Sequence, residues 1–161
     1  MLSTIEKVLI LKTVNLFSGT PDEILAEVAT LLGEVELPAG KTIFHKGEQG
    51  DCMYVIVSGR VKAHDGDHIF NYLEEGQVFG EMAVLDPEPR VASITAVEDT
   101  HLLRLDQEPF YELMEDRIEV ARGVIHVLLG HLRNRVRDVT ELKVKIQALQ
   151  GTIETKDPTQ E

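Results

Sequence analysis

The sequence predicts a mainly β fold with flanking α: an eight-stranded β jelly-roll barrel with N-terminal helices and C-terminal helices. Three observations carry that prediction. Between residues 34 and 105 the hydropathy alternates with a period of two, and turn residues interrupt it at short intervals. On either side, apolar residues recur three and four apart, the helical spacing. The 161 residues, 43% hydrophobic and 27% charged, are enough for one domain with a real core.

Residues 1–33 are the N-terminal helical segment. Residues 3–14 read as a short helix and 15–19 as a turn. Thr20 is the expected cap of a second helix, with Pro21 at its first position and Glu23 closing a capping box. Ile24, Leu25, Val28, Leu31 and Leu32 make its apolar face, and Gly33 its end. The barrel segment, 34–105, is expected as strands at 34–37, 41–44, 53–57, 60–64, 68–73, 77–79, 91–97 and 101–105. Pro38-Ala39-Gly40, Lys46-Gly47-Glu48, Ser58-Gly59, Asp65-Gly66 and Glu75-Gly76 mark the turns, Asp65-Gly66 being a strong hairpin signal. Many short strands with polar hairpins are the pattern of a small barrel or jelly roll. In residues 106–153, Asp106 caps a helix through Phe110, Leu113 and Met114, and residues 116–119 form another capping box. A heptad seam follows: Ile125, Leu128, Leu132, Val139, Leu142, Ile146, Leu149 and Ile153, with Arg135 at its polar position. To about Val136 the pattern suits a helix lying on the barrel; beyond it, a paired helix is favoured. Residues 154–161 are a polar tail.

The net charge is -12. Residues 1–100 hold 7 basic and 17 acidic side chains, and residues 101–161 hold 9 and 11. An acidic N-terminal part argues against DNA and against anionic membrane surfaces as its partners, because duplex binding needs phosphate neutralisation. Any site for an anion must therefore be local. The one cysteine, Cys52, excludes an internal disulfide and heads the apolar run Met53-Tyr54-Val55-Ile56-Val57, so burial is expected rather than reactivity. No apolar run approaches a membrane span and no signal peptide is seen, which points to a cytoplasmic setting without membrane insertion.

The stretch 77–94 enters from a strand and leaves into one, and it concentrates unusual chemistry. Gly80 permits a positive φ and lets a ligand approach the backbone. Residues 81–85 are long enough for about one helical turn, whose unpaired N–H groups and dipole favour an anion. Arg90 carries a fixed fork of donors suited to a phosphate. Glu81 cannot bind a phosphate itself, but suits a sugar hydroxyl beside one. From the residues alone other readings stay open: Arg90 as the surface partner of Glu88 or Glu81, and Gly80 as a bulge glycine.

Phe79-Gly80-Glu81-Met82-Ala83-Val84-Leu85, followed by Pro89-Arg90-Val91-Ala92-Ser93, resembles the phosphate-binding cassette of cyclic nucleotide-binding domains. Those run Phe-Gly-Glu-Leu-Ala-Leu, a short turn, then Pro-Arg-Ala-Ala-Thr or close to it. The glutamate-to-arginine spacing matches the regulatory subunits of cyclic-AMP-dependent protein kinase, whereas the catabolite-activator type has one residue more. The resemblance runs from about Leu11 to about Leu113 and includes Ile43, Gly47, Asp51, Tyr54-Val55-Ile56, Gly59 and Val61. It implies a regulatory domain that binds a cyclic nucleotide, uses no cofactor and does no chemistry. The implied ligand residues are Gly80, Glu81, Met82, Ala83, Arg90, Val91, Ala92 and Ser93. Arg90 would pair the cyclic phosphate, completed by backbone N–H groups near Ala83 and Val91. Glu81 would accept from the ribose 2′-hydroxyl, with the Gly80 backbone against the ribose. Met82, Val61 and Tyr72 are candidates for base contacts, and Leu128, Leu132 or Arg135 for capping the base. Cyclic-GMP-selective members often carry threonine directly after the arginine. Val91 has no hydroxyl, so cyclic AMP is favoured over cyclic GMP, with Ser93 the counter-indication. The resemblance also implies that ligand moves the helices after the barrel, and a homodimer through the C-terminal helix is the expected partner.

Metal and catalytic sites find little support. His64 and His68 flank Asp65-Gly66-Asp67 and read as a solvated hairpin tip, while His45, His101, His126 and His131 are isolated. Cupin enzymes share the architecture, but their His-x-His pair with a following Glu is absent. No nucleophile–base arrangement is indicated by spacing. Arg133-Asn134-Arg135-Val136-Arg137 reads as a solvated basic stripe, and no DNA-reading helix-turn-helix follows the barrel. The alternatives to a ligand sensor are a degenerate domain kept as a protein-interaction module and, more distantly, a cupin-type metalloenzyme.

Overall fold

A computed structural model describes residues 1–155, apart from the side chains of Val127, His131, Glu154 and Thr155; residues 156–161, most of the expected tail, lie outside the described residues. The first helix, α1 (Thr4–Lys12), starts at a capping box: Ser3 Oγ accepts from the Glu6 N–H, and the Glu6 carboxylate accepts from the Ser3 N–H at 2.7 Å. That backbone hydrogen bond holds the Glu6 carboxyl below its usual range. A 3-10 turn, Asn15–Phe17, buries Leu16 and Phe17. The second helix, α2 (Asp22–Leu31), departs from the expected cap. Pro21 stands at the N-cap, its carbonyl accepting from Ile24 and Leu25, and no side chain caps the helix. Proline's fixed φ already directs the chain into the helix, and Thr20 lies instead beside Gly123. Gly33 is not the terminator; it opens the first strand.

Ten strands follow: β1 (Gly33–Leu37), β2 (Thr42–Phe44), β3 (Gln49–Gly50), β4 (Cys52–Ser58), β5 (Arg60–Asp65), β6 (His68–Glu74), β7 (Val78–Phe79), β8 (Glu88–Pro89), β9 (Ser93–Ala96) and β10 (Thr100–Asp106). A short helix, α3 (Glu81–Leu85), lies between β7 and β8; α4 (Gln107–Asp116) and α5 (Ile118–Thr155) follow β10. The eight expected strands all form, but not as one closed barrel. They make two antiparallel sheets, ordered β1-β10-β4-β7 and β2-β9-β5-β6, with β3 and β8 a separate ribbon. One edge strand of each sheet, β7 and β2, is only 2 and 3 residues long, which leaves little backbone for a hydrogen-bond ladder on that side. The ribbon was invisible as a pattern, since its strands of 2 residues show no alternation and one contains Pro89. Apart from the β5–β6 hairpin and the ribbon, successive strands alternate between the two sheets.

Two buried clusters hold this part together. One lies between the inner sheet faces: Leu37, Tyr54, Ile56, Phe79 and Leu102 from the first sheet against Phe44, Val61, Ala63, Ile94 and Ala96 from the second. The other packs Leu11, Phe17, Leu25 and Val28 of the N-terminal segment, and Phe110, Val120 and Val124 of the later helices, on Met53, Val55, Leu103 and Leu105. The alternate residues of β4 thus serve different cores, which is why its sequence is apolar at nearly every position. Asp106 does occupy the N-cap of α4, yet its carboxylate accepts from Arg104 Nε at 2.7 Å instead of capping.

The compact unit so formed is Met1–Val124; a second begins at Ile125 and consists, within the described residues, of the rest of α5. Taken by itself, this second unit is a single helix. Val139, Leu142, Ile146 and Leu149 are all more than half exposed on it. Among the described residues, no helix is long and apolar enough to cross a membrane.

Candidate ligand-binding site

The stretch between β7 and β9 builds one wall of a cavity of about 530 Å³, within the usual range for small-molecule sites. Gly80 takes the left-handed conformation, φ 76°, and turns the chain out of β7 into α3. Ala83 and Val84 anchor α3 in the interior, while Met82 is exposed. The Tyr111 hydroxyl donates to the Leu85 carbonyl and ties the far end of α3 to α4. Beyond α3, the ribbon fixes Arg90: its N–H donates to the Glu48 carbonyl at 2.7 Å, and its carbonyl accepts from Gly47 at 2.8 Å.

Seven of the eight predicted ligand residues line this cavity: Gly80, Glu81, Met82, Ala83, Arg90, Val91 and Ala92. Ser93 does not. It is buried, and its Oγ accepts from the Lys46 N–H at 2.9 Å. The Ala83 N–H, proposed for the cradle, donates to the Gly80 carbonyl at 3.1 Å. Of the base-contact candidates other than Met82, Val61 is fully buried in the core, and Tyr72 lies on the outer face of β6 under the Arg60 guanidinium, 4.2 Å from its ring centroid. Asn71 and Leu73, one residue to either side, face the cavity, with Ala63 of β5 opposite Asn71. Phe44, Val78, Phe79 and Ile94 complete its apolar lining. Phe44, Ala63, Asn71 and Leu73 were missed because cassette spacing says nothing about the opposite sheet. Strand parity was the available signal: Ala63 shares a face with Val61, and Asn71 with Leu73.

Arg90 is the unusual residue. Only 8% of it is exposed, yet it forms no ion pair with Glu81 or Glu88. Nη2 donates to the Cys52 carbonyl at 2.9 Å and to Cys52 Sγ at 3.3 Å. The guanidinium lies over Phe44, 4.0 Å from the ring centroid. Nη1 is buried without a partner. Two glycines give the side chain its room. A Cβ on Gly50 would meet Arg90 Nε and lie 2.6 Å from Cζ; one on Gly80 would lie 2.6 Å from Nη1. Gly50, which gives Arg90 this room, is absent from the residues singled out in the sequence. Behind Phe44, the Tyr54 and Phe79 rings stack at 5.1 Å, and burial, reinforced by a hydrogen bond with Cys52, pushes the Tyr54 phenol well above its usual range. Cys52 is itself buried, as expected.

A larger open groove, about 700 Å³, lies between α1 and three strand turns. Its charged lining residues, Glu74, Glu75 and Glu98, are all acidic and would repel a phosphate. Two of the histidines are occupied locally: His64 bridges Thr95 Oγ1 at 2.7 Å and the Gly66 carbonyl at 2.9 Å, and His45 contacts Glu48 at 3.0 Å. Among the described residues, no group of three or more His, Cys, Asp or Glu side chains is placed to hold a metal ion.

A two-sheet β module with a cavity opening beside a buried arginine defines a class of small-molecule-binding domains rather than a single protein. Residues 34–117, more than half of the chain, match the cyclic nucleotide-binding domain family. The chain belongs to that family, whose members are cyclic nucleotide-binding regulatory domains. It is 30% identical over 138 residues to the CRP-like cAMP-activated global transcriptional regulator of Mycobacterium tuberculosis, covering 83% of this chain and 62% of the relative. With the cAMP-dependent protein kinase regulatory subunit of Aspergillus fumigatus it shares 36% over 115 residues, 70% of this chain and 28% of the subunit. The N-terminal domain of a transcriptional regulator from Streptomyces coelicolor A3(2) superimposes with a TM-score of 0.75 at 31% identity, covering 80% of this chain and 93% of that one. The chain thus spans less than two thirds of the two curated relatives.

Proposed function

We propose that this chain is a sensor domain that binds cyclic AMP in preference to cyclic GMP in the cavity beside Arg90. One observation carries the reading: a buried guanidinium lining the cavity with an unpartnered Nη1. A buried unpaired donor is unfavourable by roughly 1–3 kcal/mol, more for a charged group, and an incoming phosphate oxygen would relieve it. The Glu81 carboxylate has no hydrogen-bond or ion-pair partner among the described residues and Glu81 lines the same cavity, so it is assigned to the ribose 2′-hydroxyl. Gly80 backs the ribose; Met82, Ala83, Val91 and Ala92 border phosphate and base. Ser93 is assigned a supporting role through Lys46. The apolar lining and the absence of a hydroxyl at Val91 favour adenine, and both curated relatives carry cyclic AMP in their names. Retention of both Glu81 and Arg90 weighs against an empty interaction module.

The two sheets are read as one jelly roll, supported by the alternation of successive strands between them. The output is assigned to α5, whose apolar stripe suits a homodimer; no DNA contact or membrane insertion is assigned to this chain, and its setting is read as cytoplasmic. The test is calorimetry. Wild type should bind cyclic AMP more tightly than cyclic GMP. Arg90→Lys keeps the charge but loses the fork, and should weaken cyclic AMP by about 1.5–3 kcal/mol. Unchanged affinity would remove Arg90 from the phosphate site.

A further inference from the structure

We propose that Phe44 is a positioning residue that sets ligand affinity by holding the Arg90 guanidinium for the phosphate. The proposal rests on the assignment of Arg90 to the phosphate and goes beyond it. An arginine side chain has many rotamers, and its order must be imposed by its surroundings. Here each surface of the guanidinium has a different neighbour. Nη2 is committed to the Cys52 carbonyl and thiol. Gly50 and Gly80 leave space along its edge. The face is covered by the Phe44 ring at 4.0 Å, a cation–π contact in a desolvated setting. Nη1, which is buried, is left without a hydrogen-bond partner.

Phe44 is itself fixed from behind. Its ring centroid lies 5.9 Å from that of Phe79 and 6.3 Å from that of Tyr54, and it is almost completely buried. The ring therefore presents a rigid apolar platform. A platform of this kind keeps the guanidinium dehydrated and oriented before ligand arrives, so that binding need not order it. An aliphatic residue of similar bulk would fill the space but lack the negative ring face.

The test is a double-mutant cycle read by calorimetry with cyclic AMP. Phe44→Leu should weaken binding about 5- to 30-fold, the scale of a buried cation–π contact. Phe44→Tyr, which keeps the ring, should stay within about threefold of wild type. In the Arg90→Lys background, Phe44→Leu should cause little further loss, because the stacked partner is already gone. An equal loss from Phe44→Leu in both backgrounds would overturn the proposal, showing that Phe44 touches the ligand or merely supports the pocket. Failure of Arg90→Lys to weaken binding at all would instead sink the phosphate assignment. A measurement on wild type covers the case in which Phe44→Leu does not fold. The Arg90 side-chain proton resonances should be shifted upfield by the ring, both without ligand and with saturating cyclic AMP. Resonances at ordinary arginine positions in both states would overturn the proposal.

Discussion

Two glycines touch the Arg90 guanidinium, and they should fail differently when a methyl group is added. At Gly50 the three atoms nearest a new Cβ all belong to the Arg90 side chain and none to backbone. Gly50→Ala should fold with a urea midpoint close to wild type, yet bind cyclic AMP at least tenfold more weakly, because the guanidinium must leave its place on Phe44. At Gly80 the φ of 76° is unfavourable for alanine, and the Cβ would also sit 2.9 Å from the Cys52 carbonyl, which is backbone. Gly80→Ala should therefore lose about 1–3 kcal/mol of stability as well as affinity. Equal behaviour of the two variants in denaturation and calorimetry would contradict this division. Val91 tests the base. It borders the cavity and is 85% exposed, leaving room for a different side chain. Val91→Thr should raise affinity for cyclic GMP more than for cyclic AMP, since a hydroxyl adds a partner only for guanine's extra polar edge. Equal gains for both nucleotides would place the base away from residue 91.

At the scale of elements, much was legible. The period-two stretch gave the eight main strands within one or two residues, because half-buried strands write their two faces into the sequence. Asp65-Gly66 was readable as a hairpin because glycine at φ 57° meets the turn's need directly. The failures have separate causes. Ser3-x-x-Glu6 carries a capping box, whereas at Thr20-Pro21-Asp22-Glu23, which has the same pattern, proline opens the helix without side-chain help. The β3–β8 ribbon has no periodicity to detect, although it anchors Arg90 from both its N–H and its carbonyl. Tyr72 is a base-contact candidate from the sequence, whereas its neighbour Asn71 lines the cavity, because a step of one residue along a strand reverses the face. Register between β5 and β6 decides such a question. It includes an irregularity between Ala63 and His64 that no local pattern announces. For the candidate site, then, the cassette wall was legible and the opposing wall was not. A cassette is continuous in sequence, whereas the other wall is assembled from residues of β2, β5, β6 and β9.

For the whole molecule, the question is how occupancy of a cavity near Arg90 becomes a signal. The helix α5 runs without interruption from Ile118 to Thr155; Val120 and Val124 lie in the core of the first unit, while Val139, Leu142, Ile146 and Leu149 form an exposed heptad stripe in the second. An exposed apolar stripe of this kind can link ligand binding to pairing. A short two-stranded seam, with Arg135 at a core position, should be marginal, so the proposed homodimer should depend on concentration. If cyclic AMP favours the paired form, pairing must raise affinity for cyclic AMP by the same factor. Sedimentation of wild type should show a monomer–dimer equilibrium at micromolar concentrations, displaced by saturating cyclic AMP. Replacing Leu142 and Ile146 together by Asp should give a monomer at all concentrations, with circular dichroism showing intact sheets and with cyclic AMP affinity independent of protein concentration. A wild type that remains monomeric throughout, with and without ligand, would show that a second copy is not what the stripe meets.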